Sequence, residues 1–362
     1  MALDRILLTR FRNHAETRLE GAAPINLLVG ENGAGKTNVL EALSLFAPGR
    51  GLRRAPLPDM AMTGGDGAFA LSALLRPAGD EGDPVALGTG IAPDRPGRRL
   101  QRINGANASA TALAEWVAIG WLTPAMDGLF MASPGERRRY MDRLALALFP
   151  EHARIAARYE NALRERNRML GDERGPDIAW LAANEAELAL AGAALSGGRA
   201  ALIAQLSEIL AQEPDEPFAR PLLAYEAGGP ATAPELAAML ASTRQRDIAA
   251  RRTLTGPHRD DLVVTMAGKD APAAQCSTGE QKAMLVAITL AHADLAARGR
   301  ASVLLLDEVA AHLDPIRREA LFGRLRASGT QVWLTGTEPA PFEGILGEAA
   351  CWRVSAGAVE RF

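Results

Sequence analysis

The sequence predicts an α/β fold in which a sheet-and-loop core is divided by an inserted helical arm. Three features predict it. An apolar strand at Ile25–Val29 runs into a glycine-rich loop, a helical texture takes over from Ser133, and a second apolar strand at 303–306 ends in two adjacent carboxylates. The core is assigned to residues 1–125 and 255–362, and the arm to 126–254.

Near the N-terminus, residues 6–8 and Ile25–Val29 are short apolar runs, and the loop opening at Gly30 feeds a helix from about Lys36. "GAFALSALLRP" alternates, with Phe69, Leu71, Ala73 and Leu75 on one face. "PVALGTGI" and "GRRLQRING" read as its partner strands, with Asn104 and Gly105 as a turn, so an antiparallel β flap lies beside the core. Helix begins at "SPGERRRYMDRL", where Ser133, Pro134 and Glu136 form a capping box. Met141, Leu148, Ile155, Ala162 and Met169 recur every seventh residue. Beyond the break "GDERGPD", Leu181, Leu188, Leu195, Leu202 and Ile209 do the same, predicting an antiparallel helix pair. Gly192, Gly197 and Gly198 predict a bend or interruption in the second helix. The Pro-rich "EPDEPFARPLLAYEAGGPATAP" reads as a connector and "PELAAMLASTRQRDIAARR" as a further helix. Strand texture returns at "TLTGPHRDDLVVTM" and the α/β pattern continues to the end.

Composition is ordinary for a globular protein: 362 residues, 48% hydrophobic and 23% charged. A net charge of −3 excludes a wholly basic nucleic-acid coat protein but not a local basic face. Lysine occurs only at Lys36, Lys269 and Lys282, a bias toward arginine that makes the lysine of the glycine loop stand out. Cys276 and Cys351 offer neither a disulfide framework nor a CxxC spacing, and fit small buried hydrophobes in a reducing compartment. "MALDRILLTRFRN" is too charged for a signal peptide, and "AMLVAITLAHADLAARG" is broken by His292 and Asp294. A cytoplasmic protein with no membrane partner is expected.

Gly30, Glu31, Asn32, Gly33, Ala34, Gly35, Lys36 and Thr37 fit GxxxxGK[ST] at every specified position, with a strand before and a helix after. Such glycines let backbone N–H groups turn toward phosphate, and the helix adds its positive end. Lys36 is assigned to the β- and γ-phosphates of ATP and Thr37 to Mg²⁺, with Asn38 completing the candidate binding set. Asp307 and Glu308 follow the 303–306 strand at its C-terminal end, where ligands sit in parallel sheets. Asp307 is expected to share the metal, and Glu308 to orient and deprotonate the attacking water, giving Lys36, Asp307 and Glu308 as the catalytic set.

Upstream, "CSTGEQKAMLVAITLAHADLA" resembles the signature motif of ABC-type ATPases, with Ser277, Gly279 and Glu280 at a helix start. In isolation these residues are also a plain capping motif. "AAHLD" resembles the D-loop and contributes Asp314. The resemblance implies a P-loop ATPase head whose site is split between two protomers joined by ATP. The insertion between Lys36 and Ser277 is longer than in transporter cassettes and far shorter than an SMC coiled coil. "LTRFRNH", "GENGAGKTNVLEAL", "SPGERRRYMDRLAL", "TGPHRDDL", "STGEQKAMLVAITLA" and "LLLDEVAAHLD" together resemble the RecF family over nearly the whole chain. His14 and His312 depart from that pattern, as does "TPAMD", whose residues 125–127 stand at the position of the Q-loop. "LTGTE" at 334–338 stands where transporters carry a switch histidine, and offers Thr335 or Thr337 instead.

The resemblance implies an ATP-dependent homodimer, slow hydrolysis, loading at gapped or junction DNA without sequence preference, and RecR and RecO as partners. Arg95, Arg98, Arg99 and Arg102 on the flap and Arg137, Arg138, Arg139 and Arg143 on the first arm helix are candidate phosphate contacts. Any one of them fits equally a solvated face with pairs such as Glu160 and Arg164. With 5% aromatic residues, base stacking is not expected to dominate. The alternative is an ABC-type switch acting on a protein or a membrane transporter. The roles of Arg259, Asp260 and Asp261 stay open.

Overall fold

The computed structural model describes residues 2–76, 83–95, 97–172, 176–298, 300–310 and 313–362. The chain divides into two compact units, Met1–Asp127 with Glu216–Phe218 and Leu285–Phe362, and Gly128–Asp215 with Ala219–Met284.

The first unit begins with β1 (Ala2–Phe11), β2 (His14–Glu20), β3 (Ile25–Val29) and α1 (Lys36–Ser44). It continues through β4 (Phe69–Arg76), β5 (Val85–Ile91), β6 (Leu100–Ile103), β7 (Ala106–Ala108), α2 (Ala110–Trp116) and β8 (Val117–Leu122). The antiparallel flap has the order β2-β1-β4-β5-β6-β7. Its face is the expected one: Phe69, Leu71, Ala73 and Leu75 are buried and the strand residues between them are not. Asn104 and Gly105 turn with φ of 49° and 80°, the two left-handed residues of a tight hairpin. β2 escapes a hydrophobicity scan because His14, Thr17 and Leu19 alone turn inward between charges.

The second unit contains α3 (Pro134–Leu148), α4 (His152–Leu170), α5 (Ile178–Leu210), β9 (Pro221–Glu226), α6 (Ala233–Ser242), α7 (Arg244–Ala250), β10 (Asp261–Met266) and β11 (Ala271–Pro272). Ser133 caps α3 as expected, accepting the Glu136 N–H. The first heptad stripe is two helices, because Phe149 precedes Pro150 and is extended, with φ −122° and ψ 92°. The second stripe is one 33-residue helix with no interruption. Its glycines serve packing instead: a Cβ on Gly192 would lie 2.8 Å from Leu236, and one on Gly198 3.0 Å from the His152 ring. The Pro-rich connector hides β9, which pairs antiparallel with β10 along its whole length. That pairing is why residues 255–284, expected with the core, cluster with the arm. Among the described residues, α5 alone is long and apolar enough to cross a membrane, yet it buries Leu181, Leu188, Leu195 and Leu202 in this unit.

A polar cluster fills the arm's interior and absorbs the GPHRDD segment. Arg199 on α5 donates to both oxygens of Asp142 on α3, each at 2.8 Å, to Asp260 at 2.8 Å and to the Pro257 carbonyl at 2.7 Å. Asp260, wholly buried, also accepts the Gly228 N–H and the Tyr225 hydroxyl. Asp261 takes a bidentate pair from Arg137, at 2.8 and 2.6 Å. Asp260 and Asp261 therefore brace the arm. Burial pushes the Asp142 carboxyl up, but hydrogen bonds from His152 and Arg199 outweigh it and hold its pKa below the ordinary value.

α8 (Thr278–Ala296) leads back to the first unit, which closes with β12 (Ala301–Leu306), α9 (Pro315–Ala327), β13 (Gln331–Gly336), β14 (Ala350–Ser355) and β15 (Ala358–Arg361). Its second sheet runs β15-β14-β3-β13-β12-β8. β3, β12 and β13 are buried at every residue, as parallel strands covered on both faces are, with Asn26, Ser302, Gln331 and Thr335 as their polar members. One hydrophobic core joins this sheet, α1 and the flap, from Leu3 and Phe11 to Trp333 and Trp352.

Candidate nucleotide-binding site

Strand register brings the site together. β3, β13, β12 and β8 are parallel neighbours, with Val29 opposite Gly336, Leu334 opposite Leu306, and Leu306 opposite Leu122. Their C-terminal ends share one edge, and Gly30, Thr335, Asp307 and Thr123 emerge there. The turn at Pro124–Met126 follows directly, which puts the TPAMD segment on this edge.

The glycine loop is held from outside. Gly33 and Gly35 have φ of 82° and 118°, conformations that suit glycine. A Cβ at Gly35 would also lie 2.8 Å from the His14 ring. Asn13 donates to the Ala34 carbonyl at 3.0 Å, as does the Gly357 N–H at 2.9 Å. His14 Nε2 lies 3.1 Å from the Gly35 carbonyl, which only accepts, so that nitrogen carries the proton. Burial lowers the His14 pKa. Asn13 and His14 belong to the "FRNH" run, whose contact with the loop no local periodicity reveals.

Within the loop, Lys36 Nζ donates to the carbonyls of Gly30 at 2.6 Å and Glu31 at 3.0 Å. Burial lowers its pKa, against the raising influence of Glu308 and Asp307. Thr37 and Thr335 both donate to Asp307 Oδ1, at 3.0 and 2.8 Å. Burial raises the Asp307 pKa while those two hydroxyls oppose the rise. Thr335 also accepts the Glu308 N–H at 2.9 Å, so one hydroxyl ties both carboxylate residues. Glu308 itself sits at φ 54°, a left-handed position uncommon outside glycine. Asn38 donates to Asn13 at 2.7 Å and accepts from Arg53 at 2.6 Å. Glu31, Asn32 and Gly33 are exposed.

A hard cation fits the Thr37 hydroxyl and Asp307 carboxylate, which converge at hydrogen-bond distance. Among the described residues no cluster of three or more His, Cys, Asp or Glu side chains forms a metal cage. One hydroxyl and one carboxylate are the donor set that Mg²⁺ uses, since it usually takes one or two carboxylates and completes its shell with water and substrate phosphate.

At the start of α8, Ser277 and Glu280 form a reciprocal capping box. Glu280 Oε2 accepts the Ser277 N–H and hydroxyl, both at 2.9 Å. A salt bridge from Lys269, together with those bonds, holds the Glu280 pKa at about 2. Ser277 and Gly279 remain exposed. Asp314 caps α9 by accepting the Arg317 N–H at 2.9 Å. His312 lies outside the described residues.

The candidate DNA arginines divide. Arg137 is committed to Asp261, Arg138 donates to the Asp260 carbonyl, Arg139 pairs with Glu136, and Arg143 lies over the Tyr140 ring. On the flap, Arg99 is turned inward onto the Gly49 and Ala47 carbonyls, whereas Arg95, Arg98 and Arg102 are exposed.

A strand–glycine loop–helix beside a threonine-bound aspartate and a neighbouring glutamate defines a P-loop site of the ABC and SMC head type. Residues 2–344 match the family model of the RecF/RecN/SMC N terminal domain. A relative from Mesorhizobium japonicum named DNA replication and repair protein RecF is 46% identical over 99% of this chain and 97% of its own length. One of the same name from Rhizobium etli is 44% identical over 99% and 98%. In fold, the chain is similar to a solved structure of the recombination mediator protein RecF-ATPrS in the RecFOR pathway, with a TM-score of 0.87 at 22% identity, covering 100% of this chain and 98% of that one. An Smc head domain from Pyrococcus furiosus is more distant, with a TM-score of 0.53 at 14% identity over 99% and 95%. The chain belongs to the RecF family, within the broader group of RecF, RecN and SMC heads.

Proposed function

We propose that this chain is an ATP-dependent DNA-binding protein of recombinational repair and replication-gap processing, working in the cytoplasm as an ATP-joined homodimer that clamps DNA. The observation that carries the proposal is the bond set Thr37–Asp307–Thr335–Glu308 beside Lys36, in a chain of a family whose relatives are named for DNA replication and repair. Lys36 exchanges the Gly30 and Glu31 carbonyls for the β- and γ-phosphates, so its ammonium meets anionic acceptors in place of neutral carbonyls. Thr37 and Asp307 would hold Mg²⁺, which would supply neutralisation of phosphate charge. Glu308, fixed through its own N–H on Thr335, orients the attacking water and accepts its proton. Ser277, Gly279, Glu280 and Asp314 act on the ATP held by the partner protomer. Hydrolysis is slow and times release of DNA, and RecR and RecO are the protein partners.

The flap arginines Arg95, Arg98 and Arg102 meet the phosphate backbone, so binding is sequence-independent and salt-sensitive. Anisotropy of a labelled gapped duplex should show tighter binding with ATP than with ADP, and affinity falling steeply between 50 and 200 mM salt, on the order of tenfold for each two phosphate contacts. No DNA binding in either nucleotide state would move the function to a protein partner.

A further inference from the structure

Arg99 sits among the exposed arginines of the flap but faces the other way. On β6, Arg102 is exposed, whereas Gln101 is half-buried and lies against Arg99. With its amide oxygen turned toward Arg99, Gln101 accepts from Arg99 Nε at 2.8 Å. Arg99 Nη1 donates to the Gly49 carbonyl at 2.8 Å and Nη2 to the Ala47 carbonyl at 3.2 Å. Burial lowers its pKa to about 10. The guanidinium is half-buried, and its nitrogens are held by the Gly49, Ala47 and Gln101 oxygens instead of facing a surface phosphate.

The segment it holds is the exit of the phosphate-loop helix. Leu45, Phe46 and Ala47 are buried. The Leu52 N–H donates back to Ser44 at 2.7 Å. Arg53 then returns to α1, donating to Asn38 at 2.6 Å and to the buried Glu41 at 3.0 Å. Asn38 donates to Asn13, and Asn13 to the Ala34 carbonyl inside the glycine loop. The covalent segment from Ala47 to Arg53 thus carries hydrogen bonds at both ends, one to the flap and one to the nucleotide loop.

We propose that Arg99 is the positioning residue through which DNA on the flap acts on the nucleotide site. Phosphates drawn to Arg98 and Arg102 displace the β5–β6 hairpin, Arg99 carries that displacement to the Ala47 and Gly49 carbonyls, and Arg53 delivers it to Asn38. The inference rests on the DNA-clamp reading above and names its internal connection. Contiguity is the route and differential contact the energy; the measurable quantity is the coupling between the two sites.

The test is steady-state ATP hydrolysis by the full chain with and without gapped duplex DNA, for the unaltered protein, Arg99→Ala, Arg99→Lys and the double change Arg98→Ala/Arg102→Ala. Arg99→Ala should keep its basal rate and lose at least about fivefold in the ratio of stimulated to basal rate, the lower end of usual coupling. Arg99→Lys should recover part of the ratio, and the double change should instead raise the DNA concentration needed. A structural Arg99 would lower the basal rate and Tm together and leave the ratio intact, which overturns the proposal. If Arg99→Ala does not fold, a reduced ratio in Arg99→Lys supports the coupling and an unchanged one overturns it. Stimulation absent from the unaltered protein overturns the DNA reading and the coupling together; stimulation that survives in both Arg99 variants overturns the coupling alone.

Discussion

Glu308→Gln should bind ATP normally and hydrolyse it about 10²–10⁴-fold more slowly, the usual contribution of a positioned general base. The amide keeps the size of the side chain and leaves the N–H bond to Thr335 in place, so the φ 54° turn has no new reason to move. Lys36→Ala should behave differently. It removes the one ammonium that the glycine loop folds around, bonded to Gly30 and Glu31, and nucleotide binding itself should be lost. Equilibrium binding of a fluorescent ATP analogue beside single-turnover hydrolysis separates the two. Equal loss of binding in both variants would contradict this division of roles.

Arg199→Ala should destabilise the arm by about 3–5 kcal/mol, because removing one member of a buried ion cluster leaves the others without a counter-charge. Asp142 and Asp260 both depend on Arg199, and Asp260 is wholly buried. Denaturant unfolding of the full chain should show an early transition that the unaltered protein lacks. The Asp142 pKa is depressed in the fold, so its contribution is present above the unfolded value of about 3.9 and is lost as the pH falls through the folded value. The gap between variant and unaltered protein should therefore narrow on acidification. Unchanged unfolding at neutral pH would show that the cluster carries no stability.

Much of the fold could be read from local pattern. The glycine loop, the Asp307 strand and the flap face of β4 each carry their own period or spacing, and the fold places them accordingly. What escaped was set by distant partners. β2 lacks an apolar run of its own and β9 sits inside a Pro-rich stretch, and both are held by cross-strand pairing. Gly192 and Gly198 read as helix breakers, yet packing against Leu236 and His152 requires their missing side chains. At the site, the sequence offers Thr335 only as one of two threonines standing where transporters carry a histidine. Its position between β3 and β12, where it holds Asp307 and Glu308 together, follows from sheet order that no window of sequence contains. The arginines misled in the opposite direction: Arg99, Arg137 and Arg138 look like surface cations in sequence and are spent inside the fold.

The central claim is that ATP joins two copies of this chain around DNA. The most direct measurement is the solution mass of Glu308→Gln with and without ATP and Mg²⁺, repeated with gapped duplex DNA at two salt concentrations. A dimer that forms with ATP alone, retains the duplex and releases it as salt rises is the predicted result. A monomer under every condition would contradict it.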